Sequence, residues 1–216
     1  SFSELASIQT EVEGLAFFSG FAKEINAMRS CGKIIIARIQ GKCIGGGVGI
    51  AAAADYAIAC EGAEVKLSEL AVGIGPFVVG PAVERKIGVS AFSALAIDAT
   101  NWRTAQWAYE KGLFAEIHDT IEKVDEAVLK IAKTLSTSNP QAMQDLKKVS
   151  WEGTENWESI MPQRAAKSGS LILSEYAKEK LRKLIYEQDM KKMEEAAKDL
   201  VLNNLNASSI TNRILT

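Results

Sequence analysis

The sequence predicts an α/β fold built from strand, turn and helix units, and three stretches carry that prediction. Lys33 to Ile39 is an apolar, β-branched run of the kind that forms a buried strand. Gly45-Gly46-Gly47 follows a short turn, and Gly46 to Ala54 is rich in alanine, the strongest helix former. Tyr56 to Cys60 and Glu64 to Leu67 then repeat the strand pattern around a turn at Glu61-Gly62.

The other elements follow in order. Ser7 to Arg29 reads as an amphipathic helix with Ile8, Val12, Leu15, Phe18, Ile25 and Met28 on one stripe, ended by Ser30-Cys31-Gly32. Ser68 to Pro76 is a loop punctuated by Gly73, Gly75 and Pro76. Helical segments are expected at Val79 to Ile87, Ser90 to Ala99 and Thr104 to Lys111, and a strand at Leu113 to Ile117. From Thr120 onward the pattern is helical: Ile121 to Thr137, Pro140 to Trp151, Trp157 to Leu173 and Ser174 to Asn203. Pro140 suits the first helical position behind Asn139 as a cap. The last helix is laced with charge and carries a seam of Leu181, Leu184, Ile185, Met193, Ala197 and Leu200. A solvated helix with one packing stripe explains it, and a partner contact is the sharper alternative. The polar tail, Asn203 to Thr216, is expected to fray. The division is therefore an α/β core over 1–119, a helical region over 120–187 and a helical tail over 188–216.

Composition narrows the function. At 216 residues the chain makes one large domain, or a domain with an appendage. Its 47% apolar and 24% charged residues are those of a soluble globular protein. A net charge of −2 and a pI near 5.6 argue against a nucleic-acid surface. The three cysteines, Cys31, Cys43 and Cys60, have no metal-like spacing and read as reduced core residues of a cytosolic protein. One histidine, His118, rules out a His-rich zinc site and argues against a Ser-His-Asp triad; an edge or surface place suits it. Ile44 to Cys60, the longest nearly uncharged run, holds Asp55 and four glycines and is too broken to span a bilayer. No membrane partner is expected, and no signal-like segment opens the sequence.

Two places carry candidate chemistry. A strand, a glycine turn and a helix in that order set free backbone N–H groups at a helix N-terminus, where they can hold developing negative charge. Glycines at 45–47 also let a ligand approach the backbone. No Gly-Lys-Ser/Thr follows the triplet, so it is not a P-loop, and a dinucleotide fingerprint lacks its third glycine. Glu69 is the one carboxylate in an apolar neighbourhood, and in an apolar pocket its pKa would rise enough to shuttle protons near neutrality. A plain tight turn and a surface glutamate explain the same residues. An oxyanion site beside one carboxylate is, however, the minimal kit for proton chemistry next to a thioester carbonyl.

Ile34 to Gly47 with Ala54 to Ala59, continued through Ala63 to Pro76, Arg85 to Gly88 and Ala108 to Phe114, resembles the signature of the enoyl-CoA hydratase/isomerase (crotonase) superfamily. The likeness covers about Ser1 to Ile185. It implies a crotonase-like spiral of ββα units with a C-terminal helical region that forms a homotrimer or a dimer of trimers. It implies that the Gly46 N–H polarises the thioester carbonyl and that Glu69 is the acid/base. Gly45, Gly47, Leu70, Gly73, Gly75, Pro76, Phe77 and Val78 would line the substrate pocket. Many hydratases of the family carry a second glutamate two residues after the triplet, where this sequence has Gly49. The combination of Gly-Gly-Gly-Val-Gly with Ser-Glu-Leu-Ala-Val-Gly-Ile-Gly-Pro looks most like methylglutaconyl-CoA-type hydratases.

The family's first ββα units, and the loop that gives the other oxyanion N–H, would stand before Ser1. A fragment, a cut in numbering or completion by another chain would each account for that. The leading expectation is reversible hydration of a 2-enoyl-CoA, branched or glutaconyl-type, in the cytoplasm. The acyl-CoA substrate supplies the coenzyme A, and no separate cofactor is expected. Δ3,Δ2-enoyl-CoA isomerisation is the alternative within the class, and a catalytically silent crotonase-like subunit the alternative outside it.

Overall fold

The computed structural model describes residues 2–214, with side chains throughout except at 196, 197 and 199–214. The elements are α1 (Phe2–Ser7), α2 (Glu11–Ser30), β1 (Ile36–Ile39), β2 (Cys43–Ile44), α3 (Gly46–Ala53), β3 (Tyr56–Cys60) and β4 (Glu64–Lys66). A 3-10 turn (Leu70–Val72) leads to α4 (Gly80–Ile97), β5 (Arg103–Thr104), α5 (Ala105–Glu110) and β6 (Glu116–His118). The helices α6 (Ile121–Ser136), α7 (Pro140–Ser150), α8 (Trp157–Leu171) and α9 (Glu175–Ile214) complete the chain.

Two small sheets organise the first half. β3 is the centre of a parallel sheet, flanked by β1 and β6. Its residues alternate between two apolar layers: Ala57 and Ala59 face the main core, while Ile58 and Cys60 pack on Val124 and Ala127 of α6. The second sheet sets β4 between β2, parallel, and β5, antiparallel.

The N-terminal helix begins where Thr10 and Glu13 form a reciprocal capping box. Its buried residues are Gly14, Phe18, Ala22 and Ile25. Val12 and Leu15, expected on the apolar stripe, point to solvent, Val12 with 77% exposure. Small residues displace them: Gly14 meets Gly169 of α8 so closely that a β-carbon there would lie 2.7 Å from the Gly169 carbonyl oxygen. This contact brings α2 and its phenylalanines down onto α8.

The helical region over 120–187 packs into the same core, through Trp151, Trp157, Met161, Ala165 and Leu181. A buried polar cluster pins it. Asp55 accepts from the Ile35 N–H (2.8 Å), Lys147 Nζ (2.9 Å) and Trp151 Nε1 (3.0 Å), and Lys147 also donates to the Lys33 carbonyl at 2.8 Å. These bonds occupy Lys33 to Ile35, so the first strand starts at Ile36 rather than at Lys33. Gly88, at φ 77°, breaks α4 between the two helical segments expected there. The third parallel strand starts at Glu116, later than expected, because Gly112 turns the chain and Leu113 and Phe114 are buried beneath it. The last helix runs to Ile214, beyond the expected end at Asn203. Residues 215–216, and the side chains of Ala197 and Leu200 in its expected seam, lie outside what is described.

Candidate active site

The glycine turn is built by pairing on one side and helix formation on the other. Parallel pairing of β2 with β4 carries the chain to Gly45, whose N–H donates to the Lys66 carbonyl at 2.9 Å. Gly45 stands at φ 52° and ψ −114°, a conformation that a side chain would oppose. The Val48 and Gly49 N–H groups then bond back to the Gly45 carbonyl at 2.9 and 3.2 Å. Among the described residues, this leaves the Gly46 and Gly47 N–H groups as open donors of the first turn of α3.

Glu69 lies three residues beyond Lys66, so the bond from Gly45 to Lys66 couples the two halves of the site. Its carbonyl accepts from Val72 (3.2 Å) and Ile74 (3.0 Å), and Gly73, at φ 82°, ends the turn. The carboxyl folds over the glycine turn: Oε1 lies 3.1 Å from where a β-carbon on Gly45 would stand. Oε2 is buried and has no hydrogen-bond partner among the described residues. Burial therefore disfavours the charged form and pushes the carboxyl up to about 7, while its own backbone N–H pulls it slightly the other way. The residue as a whole is only half-buried; its functional end is the buried one.

Both features open on a cavity of about 380 Å³. Of the residues expected to form the site, Gly45, Gly46, Gly47, Glu69, Gly75, Pro76, Phe77 and Val78 line it. Leu70 and Gly73 do not. Leu70 turns outward, 50% exposed, because it starts the 3-10 turn away from the cavity. Gly73 is instead packed under Tyr176 of α9, whose Cδ1 lies 2.7 Å from the place of a β-carbon. Val72 and Ile74, within the expected stretch from Leu70 to Gly75, line it as well. The rest of the wall was not expected from the sequence, chiefly Phe2, Phe17, Phe18, Phe21, Ser168 and Gln188. The spacing of Phe17, Phe18 and Phe21 along one helix was the available signal. Among the described residues, Glu69 is the one ionisable side chain on this wall.

His118 stands apart, on the edge strand β6, with Nε2 3.0 Å from Glu116 Oε2. Cys43 and Cys60 are buried and free, and burial raises the Cys43 thiol to about 11; Cys31 is half-buried. No group of His, Cys, Asp and Glu among the described residues is arranged to hold a metal ion.

Comparison with known proteins gives the family and the fold. A family model described as Enoyl-CoA hydratase/isomerase matches residues 7–187. Mitochondrial Delta(3,5)-Delta(2,4)-dienoyl-CoA isomerases of Pongo abelii and Homo sapiens are each 30% identical over 136 residues, covering 59% of this chain and 39% of theirs. The chain thus spans about two fifths of the length of the curated relatives it matches. An enoyl-CoA hydratase from Mycobacterium avium superposes with a TM-score of 0.76 at 20% identity, covering 82% of this chain and 69% of that one. One from Bacillus halodurans gives 0.75 at 23% identity, covering 84% and 74%. These two likenesses establish the crotonase fold.

Proposed function

The chain belongs to the enoyl-CoA hydratase/isomerase family, and on that premise we propose that it moves a double bond within an unsaturated acyl-CoA, with Glu69 as the only proton carrier. The observation that carries this reading is the Glu69 carboxyl above the glycine turn, with Oε2 buried and without a hydrogen-bond partner among the described residues. In a 3-enoyl thioester, the Glu69 carboxylate takes a proton from the carbon beside the thioester carbonyl. The electron pair spreads into a dienolate whose oxygen accepts from the Gly46 N–H. Glu69, whose proton exchanges with solvent, then gives a proton to the carbon at the far end of the conjugated system, and the product is the 2-enoyl thioester. One base suffices, and a pKa near the working pH lets it serve as base and then as acid. Coenzyme A enters as part of the substrate.

Hydration, the leading expectation from sequence, is the second reading. Ser68, Ser168 and Gln188 put neutral polar groups on the wall that suit a bound water. Isomerisation is favoured because Val79 fills the space beside Gly49, where a second carboxylate would stand. A silent scaffold has no use for a buried carboxyl oxygen left without a partner among the described residues, which only destabilises the fold.

We also carry forward a cytoplasmic setting and a homotrimer or dimer of trimers. Leu129, Leu146 and Val149, exposed on α6 and α7, support the assembly. Among the described residues no helix is long and apolar enough to cross a membrane. Mass spectrometry of 3-enoyl and 2-enoyl thioesters incubated with the protein separates the two reactions. A moved double bond without gain of mass supports isomerisation, and the gain of one water supports hydration instead.

A further inference from the structure

Five of the chain's seven phenylalanines stand on this one cavity: Phe2, Phe17, Phe18, Phe21 and Phe77. The two off this cavity are Phe92, half-buried, and Phe114, buried. Of the five, only Phe18 is buried; the other four keep part of their surface open. The rings already meet edge to face, Phe17 with Phe18 at 5.2 Å and 82°, and Phe17 with Phe21 at 6.0 Å and 64°. Phe21 lies against Gly46, its Cε1 2.3 Å from the position of a β-carbon there. The aromatic wall therefore begins beside the open N–H donors and runs outward to α1.

Among the described residues, the ionisable side chain lining the cavity is Glu69, and its other polar side chains are the neutral Ser68, Ser168 and Gln188. Lys167 Nζ stands 5.1 Å from the centroid of the Phe77 ring, so a π-face of this wall already takes a partner.

Resting on the acyl-CoA reading above, we infer that the acyl group this cavity selects ends in a flat π-system. Aromatic contacts in edge-to-face or offset geometry add to burial. A cyclohexyl tail buries at least as much apolar surface as a phenyl tail, so burial alone would not favour the flat ring.

The test is calorimetric binding of two unreactive saturated thioesters to the full chain: phenylbutyryl-CoA and cyclohexylbutyryl-CoA. The phenyl thioester is expected to bind about 2- to 10-fold more tightly than the cyclohexyl one. Phe21→Leu should abolish the advantage of phenyl over cyclohexyl, and Phe77→Leu should reduce it should the first variant not fold. Thermal unfolding of each variant checks the fold. Equal or tighter binding of the cyclohexyl thioester, or an unchanged preference in the folded variants, overturns this inference and leaves the proposed reaction standing. Failure of every thioester to bind overturns both.

Discussion

Val79 occupies the space that a side chain on Gly49 would need: its Cγ1 lies 2.5 Å, and its Cβ 2.7 Å, from the position of a β-carbon there. Gly49 is a buried residue inside α3, and Val79 stands on the cavity wall. The contact joins the helix that follows the glycine turn to the loop that precedes α4. It is the structural reason that the site holds one carboxylate.

We therefore expect Gly49→Ala to destabilise the protein. Alanine gains about 1 kcal/mol in helix propensity over glycine, but overpacking against a β-branched, buried neighbour costs about 1–3 kcal/mol. The net loss of up to about 2 kcal/mol should lower the urea midpoint. A raised midpoint would mean that Val79 moves aside freely.

Glu69→Gln should lose turnover yet stabilise the fold at alkaline pH. The folded carboxyl sits at about 7, above its unfolded value, so the folded state holds the extra proton between the two. Stability of the natural protein is thus highest below the unfolded pKa and falls as pH rises through 7. Glutamine mimics the protonated form, so the variant should exceed the natural protein by about 3 kcal/mol above pH 8 and match it near pH 4. Denaturant titrations at the two pH values check this, and equal stability at pH 8 would place the carboxyl in a wetter site.

The rate should follow the same group. Proton abstraction needs the carboxylate, so kcat/KM should rise with pH and reach half its maximum near 7. A profile already flat from pH 5 would show that burial does not tune Glu69.

Lys147→Ala should unfold the junction between the α/β core and the helices after it. Lys147 and Asp55 have side chains only 3% and 12% exposed, and truncating one partner leaves the other charge buried. A loss of about 3–5 kcal/mol is expected. Chemical denaturation followed by tryptophan fluorescence reads it directly, because Trp151 Nε1 donates to Asp55.

The parts of this fold written in local pattern were legible in the sequence. The apolar run ending at Ile39, the glycine turn and the alanine-rich α3 lie where strand and helix propensities place them, and Glu69 stood out as a charge among apolar residues. The two-residue strands β2 and β5 are too short to show a period. On α2 the hydrophobic stripe misled, because Gly14 and Ala22 take the buried face that Val12 and Leu15 seemed to claim. The cavity wall was hidden for a different reason. Phe2, Phe21, Ser168 and Gln188 come from helices far apart in sequence, and only packing brings them together. Gly73 carried a turn signal, and the turn is real, but its bare face serves Tyr176 rather than a ligand.

The most direct measurement is wash-in of solvent deuterium at the carbon beside the thioester carbonyl, followed by mass spectrometry with the natural protein and Glu69→Gln in D₂O. With the natural protein we expect deuterium in the recovered thioester, and with the variant a rate lower by at least about 10². Equal incorporation by both proteins would contradict the assignment of Glu69 as the group that moves the proton.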